Sequence, residues 1–239
     1  MISRRQLLMT SPALLSACAG LAPSVPDGLA AGDQRPWQLE GERMWVWLPR
    51  EYTTRSERWP LLVFLHGSGE RGSALDKVKL HGPPMWAARG ANYPLVLVSP
   101  QLEEGARWEP ERLHRLLQAL QSRLNVDRKR SLATGLSLGG HGVWNWASAY
   151  PRDLAAIAPV CGFGDPVAVE AMREVPVRAY HGEVDPVVPL ARQQACVDAL
   201  RAAGGRATLT IYPGVGHDSW VPAYQDPDLL PWLLAQKQT

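Results

Sequence analysis

From residue 37 onward, apolar and polar positions alternate between two periods. "LLVFLHG" (61–67) and "PLVLVSP" (94–100) are continuous apolar runs closed by glycine or proline. Such runs are expected of strands covered on both faces. "MWVWLP" (44–49) alternates like an earlier strand. "PERLHRLLQALQSRL" (110–124) begins with Pro110 and Glu111 and then spaces its leucines at helical intervals, which predicts an amphipathic helix. "RSLATGLS" (130–137), "LAAIAPVCG" (154–162), "VRAYHGE" (177–183) and "ATLTIYPG" (207–214) read as further strands, and "LARQQACVDALRAAG" (190–204) as a helix. The alternation predicts an α/β fold with a mostly parallel central sheet and helices on both faces. In such sheets the reactive side chains sit on loops at the carboxyl ends of the strands.

The chain ahead of residue 37 follows neither period. "MISRRQLLMTSPALLSAC" has a basic start at Arg4 and Arg5, a short apolar middle and small residues before Cys18. It reads as an export signal. Ser3-Arg4-Arg5 resembles a twin-arginine signal, and Leu15-Ser16-Ala17-Cys18 resembles a bacterial lipobox in which Cys18 is acylated. The expected organisation is a signal at 1–17, a flexible tether at 18–36 and a catalytic domain at 37–239. It implies an exported bacterial protein held in the periplasm or cell envelope by lipid at Cys18. The competing reading is a cleaved, soluble secretory protein with an incidental cysteine.

Composition narrows the function classes. The 239 residues are 46% hydrophobic and 20% charged, enough for a packed core. Net charge is +2, and removal of 1–17 with its two arginines leaves the remainder neutral. No clustered basic run supports nucleic acid as a partner. Cys161 and Cys196 are read as buried free thiols, and no Cys/His spacing predicts a metal site.

Gly135-Leu136-Ser137-Leu138-Gly139 fits G-x-S-x-G where a strand meets a helix, the context in which such a serine is a nucleophile. A serine hydroxyl requires a base. Of six histidines, His114 falls in the amphipathic helix, and His66 and His181 precede glycines at strand ends, where structural roles are common. His217, on the glycine-rich loop after the last strand, leads as base, and His141 is second. The orienting acid belongs on the loop after the preceding strand, where "HGEVDPVVP" offers Asp185 first and Glu183 second. Asp218 adjoins His217 too closely for good aim. The oxyanion donors are expected to be the N–H groups of Leu138 and of Ser68, with Gly69 possible in place of Ser68.

"PLLVFLHGSGERG", "GLSLGGHGVWNWA", "LAAIAPVCG", "HGEVDPVVP" and "GVGHDSW" together resemble the α/β-hydrolase group of predicted peptidases, phospholipase/carboxylesterase-like enzymes and dienelactone-hydrolase-like esterases. Feruloyl esterases and polyhydroxybutyrate depolymerases are relatives of that group. The resemblance spans roughly residues 40–235. It implies Ser137, Asp185 and His217 as nucleophile, acid and base in a two-step acyl transfer without metal or organic cofactor. The expected reaction is hydrolysis of short or aromatic acyl esters, including esters on carbohydrate. A peptidase or amidase with the same triad and a non-catalytic carbohydrate-binding lipoprotein are the competing functions. With ten tryptophans in the chain, Trp108, Trp144 and Trp220 are candidates for a flat aromatic wall, with Glu70, Arg71, Gln101 and His141 as polar substrate contacts. Trp45, Trp47 and Trp146 are assigned to the core.

Overall fold

The computed structural model describes residues 24–54 and 57–239; the segment expected to be a signal, 1–17, and Cys18 lie outside these. Among the described residues eight strands form one sheet: β1 (Gln34–Leu39), β2 (Glu42–Trp47), β3 (Trp59–Leu65), β4 (Val96–Pro100), β5 (Val126–Leu136), β6 (Ala156–Val160), β7 (Val177–Gly182) and β8 (Ala207–Tyr212). Their order is β1-β2-β4-β3-β5-β6-β7-β8. The pairs β1–β2 and β2–β4 are antiparallel; the pairs from β4 through β3 to β8 are parallel. The expected α/β-hydrolase architecture is the one observed.

The central strands β3, β4 and β6 are buried at every position, which is why their sequences are unbroken apolar runs. One face is covered by α2 (Pro110–Arg123), α3 (Leu138–Ala149) and α4 (Leu190–Ala202), and the other by α1 (Gly82–Ala88), α5 (Trp220–Ala223) and α6 (Leu229–Leu234). In α2, Leu113, Leu116, Leu117 and Leu120 form the buried stripe that the spacing predicts.

Two expectations need correction. The segment assigned to the tether enters the domain before residue 36. Val25 and Leu29 pack against the core, Gly32 N–H donates to Leu48 O at 2.8 Å, and β1 opens at Gln34. β1 escapes the hydrophobic pattern because it is an edge strand, held by backbone pairing to β2 and able to carry Pro36. Trp47 and Trp146 are core residues, but Trp45 is only half-buried. Its Nε1–H donates to Leu75 O, and the Lys79 ammonium lies 3.6 Å from its ring centroid. Cys161 and Cys196 are free and buried. Burial pushes the Cys161 thiol up to about 12.

Candidate active site

The parallel strands carry Ser137, Asp185 and His217 to one end of the sheet. Ser137 follows β5, Asp185 lies on the loop after β7, and His217 lies on the loop after β8. His217 Nε2 is 2.9 Å from Ser137 Oγ, and His217 Nδ1 is 2.8 Å from Asp185 Oδ2. Both are good hydrogen-bond distances. An imidazole so placed can take the hydroxyl proton while the carboxylate stabilises the resulting positive charge.

Each member is held independently. Ser137 adopts φ 51° and ψ −114° between β5 and α3, a strained conformation for a residue with a side chain. Its N–H donates to Val160 O at 2.9 Å, and its carbonyl accepts from His141 N–H at 3.0 Å. The turn brings α3 onto the backbone of β3: a Cβ on Gly139 would sit 1.9 Å from Leu65 O, and one on Gly135 2.6 Å from Gly139. The spacing G-x-S-x-G therefore reflects backbone contact on both sides of the serine. Asp185 Oδ1 accepts from Val187 and Val188 N–H, each at 2.9 Å. Burial alone would raise the Asp185 carboxyl. Hydrogen bonds from His217, Val188 and Val187 outweigh it and hold the group below its ordinary range.

Leu138 is the first residue of α3, and Ser68 opens the 3₁₀ turn Ser68–Glu70 after β3. Their N–H groups therefore have no acceptor within their own helices. The Ser68 loop packs on the serine turn, since a Cβ on Gly67 would lie 2.8 Å from Leu136 Cδ1. Buried His66 braces that loop. Its Nδ1 lies 2.6 Å from Gly67 O, and its Nε2 accepts from Leu102 N–H at 3.0 Å. Nε2 must therefore carry a lone pair, which makes the ring neutral. Burial is the main reason that its value falls to about 4.

Burial of neutral His66 ties stability to pH. The unfolded chain binds this proton near pH 6.5, whereas the folded chain resists it until about pH 4. Stability is then complete above the unfolded value and is lost as pH falls through that window. The expected loss is about 3 kcal/mol by pH 4. Urea unfolding at pH 7 and pH 4, with and without His66→Gln, measures it; an unchanged pH slope in the variant would remove His66 as the cause.

Residues 49–227 match the phospholipase/carboxylesterase family. The chain belongs to the phospholipase/carboxylesterase family. It is 24% identical over 209 residues to acyl-protein thioesterase 1 of Gibberella zeae, covering 72% of this chain and 88% of that one. It is 26% identical over 163 residues to the bifunctional acetylxylan esterase/xylanase of Neocallimastix patriciarum, covering 65% of this chain and 23% of that protein. A thermostable esterase of solved structure is 26% identical with a TM-score of 0.74, covering 86% of this chain and 63% of the other. The feruloyl esterase module from Clostridium thermocellum, solved with sinapinate, shares the fold at a TM-score of 0.67 and 16% identity, covering 91% and 94%. The protein is thus a member of a hydrolase/esterase family on the α/β-hydrolase fold.

Within this phospholipase/carboxylesterase member the other candidate residues separate. His141, the second choice for base, is turned to Phe163: its Nδ1 lies 2.8 Å from Phe163 O and 3.0 Å from Phe163 N, and the two rings meet edge to face at 4.3 Å. Glu183, the second choice for acid, is exposed and accepts from Gly214 N–H at 2.9 Å. Trp220 is half-buried and meets the His217 ring edge-on at 5.4 Å. Trp108 and Trp144 form no open wall. Trp144 is fully buried, and Trp108 is 4% exposed with its Nε1–H donating to His66 O. Gln101 is a strut rather than a substrate contact: it is buried, and its Nε2 donates to Glu70 O at 2.9 Å and Ala74 O at 2.7 Å. Arg71 ties the same loop through Ser68 O at 3.0 Å and Ala106 O at 3.2 Å. Glu70 is 7% exposed, with Oε1 3.7 Å from His81 Nε2.

Sequence reasoning missed His81 and Phe163. The His81 ring lies 5.4 Å from Trp220, and Phe163 backs His141. Neither stands in a motif, so no local signal marks them. A separate apolar cavity of about 490 Å³ lies between α1 and α6, lined by residues including Trp86, Tyr93, Tyr224, Leu230 and Leu233. It includes none of Ser137, Asp185 or His217.

Proposed function

We propose that the protein is a serine esterase that hydrolyses short or aromatic acyl esters, including esters on carbohydrate. The observation that carries this is the continuous contact from Ser137 Oγ through His217 to Asp185 in a chain of an esterase family. His217 removes the hydroxyl proton as Ser137 Oγ attacks the ester carbonyl carbon. The oxyanion is met by Leu138 and Ser68 N–H. Collapse breaks the C–O bond, and His217 passes its proton to the departing alcohol. Water, deprotonated by the same imidazole, attacks the acyl-enzyme; the acid leaves and the proton returns to Ser137. Half-buried Trp220 beside His217 offers an aromatic edge to an acyl or sugar group. The sugar and feruloyl esters in the names of two relatives support the same class.

The test is hydrolysis of p-nitrophenyl acetate, butyrate and octanoate, methyl ferulate and an amide analogue. Turnover of the esters with little on the amide is expected. Turnover of the amide alone would replace the reading with an amidase, and turnover of none would favour a binding protein.

Export and acylation at Cys18 complete the proposal. Cys18→Ser is expected to move the protein from the membrane to the soluble fraction and to abolish labelling by radioactive palmitate. Retained label would place the lipid elsewhere.

A further inference from the structure

A second histidine touches the acid of the triad. His181 lies in β7 and is completely buried. Its Nε2 is 2.8 Å from Val188 O and 3.3 Å from Asp185 Oδ2. Its Nδ1 is held by Gln193 Oε1. The Gln193 amide has a fixed sense, because its nitrogen donates to Pro159 O at 3.2 Å. Reversing it would set two oxygens against each other. Both ring nitrogens of His181 therefore face oxygen acceptors. A neutral imidazole has one N–H and one lone pair, and would leave one of these contacts repulsive. Only a ring with a proton on each nitrogen satisfies them all.

The geometry points to His181 as a buried imidazolium that shares Asp185 with His217 and so sets how readily His217 becomes the free base. This rests on the serine-esterase reading of the triad. His181 acts through Asp185 and is a positioning residue. Asp185 Oδ2 lies against two imidazoles, while Oδ1 is occupied by Val187 and Val188 N–H. A cation on His181 cancels part of the carboxylate charge and disfavours a second positive charge on His217. Without it, Asp185 attracts a proton to His217 more strongly, and a higher pH is needed to free the base. The other groups around this pair are His141 on α3, which interacts electrostatically with His217, and Asp218 beside it in the chain. Cys161, after β6, feels the charges of Asp185 and Asp218. Trp220 on α5 faces His217 without charge.

His181→Gln retains a neutral donor near the Nε2 position. Gln193→Met leaves His181 in place but removes the acceptor at Nδ1, so the ring can be neutral. In both variants the acid limb of the kcat/KM profile should move up by about one pH unit, with KM nearly unchanged. The plateau kcat should fall by less than about tenfold. A merely structural histidine would lower activity at every pH without moving the limb. Nitrogen NMR of protein with isotope-labelled histidine supplies a readout that needs no substrate. At neutral pH, both nitrogens of His181 should carry the protonated signature, and the His217 titration should move up in both variants. A single neutral tautomer at His181, or an unmoved His217 titration in both variants, overturns the inference. These spectra stand even if the ester assays overturn the esterase reading, so the two failures can be told apart.

Discussion

Ser137→Ala is expected to lower kcat/KM for p-nitrophenyl esters by about 10⁴-fold or more while leaving the fold intact. The size follows from what the hydroxyl does. In the proposed mechanism, removing Oγ deletes the atom that bonds to the acyl carbon, and it leaves His217 without its 2.9 Å partner. On that mechanism the remaining rate would come from the proposed donors Leu138 and Ser68 N–H and from binding, which accelerate direct attack by water only modestly. Removing the Oγ atom should leave the packing of α3 and β3 in place, so circular dichroism and the melting temperature should match the parent. The parent should also be labelled by a fluorophosphonate and the variant should not. If esters are hydrolysed equally by both, Ser137 is not the nucleophile and another residue at this end of the sheet must be sought.

Gly139→Ala is expected to damage the fold itself, although it adds only one methyl group. That carbon would lie 1.9 Å from Leu65 O, 2.5 Å from Leu65 C and 2.8 Å from His66 O. All three are backbone atoms at the end of β3, and Leu65 pairs with Gly135 in the sheet. No side-chain rotation relieves the clash. Either α3 lifts away from β3, displacing Ser137 from His217, or β3 shifts and takes the Ser68 loop with it. The expected cost is about 3 kcal/mol or more, a fall in Tm of roughly 6–12 °C for a domain of this size. Ester hydrolysis should be lost even in the fraction that remains folded. Gly69→Ala is the control, because nothing lies within 4 Å of the added carbon. Its stability should stay within about 0.5 kcal/mol of the parent. Equal destabilisation by the two substitutions would contradict the close-approach argument.

Much of the fold was legible because burial on two faces leaves a strong mark. β3, β4 and β6 are apolar at nearly every position, and the leucine stripe of α2 has no other explanation. β1 left no such mark. It borders only β2, and its positions are mostly half-buried or exposed, so backbone pairing holds it without an apolar period. The candidate substrate residues show the same limit. Trp108, Trp144 and Gln101 stand on the expected segments, but one or two rotations of a side chain decide between cleft and interior. Here packing against Gly142, the core and the Glu70 loop takes them inward. Trp220 goes the other way and meets His217.

The sequence by itself determined the alternating architecture and the order in which serine, acid and histidine arrive, because strand periodicity and loop placement are local properties of the chain. It also narrowed the base to His217 or His141, and the acid to Asp185 or Glu183. Only the tertiary structure shows which of them meet: His217 contacts both Ser137 and Asp185. Ser137 and His217 are 80 residues apart, and the contact of 2.9 Å exists only because the parallel strands β5 and β8, with β6 and β7 between them, end at the same edge of the sheet. It also placed His181 against Asp185, although the two are four residues apart in the chain. Spacing along a strand and loop says nothing about where the loop folds back, and here the hydrogen bonds of Asp185 to Val187 and Val188 turn the carboxylate onto the buried ring.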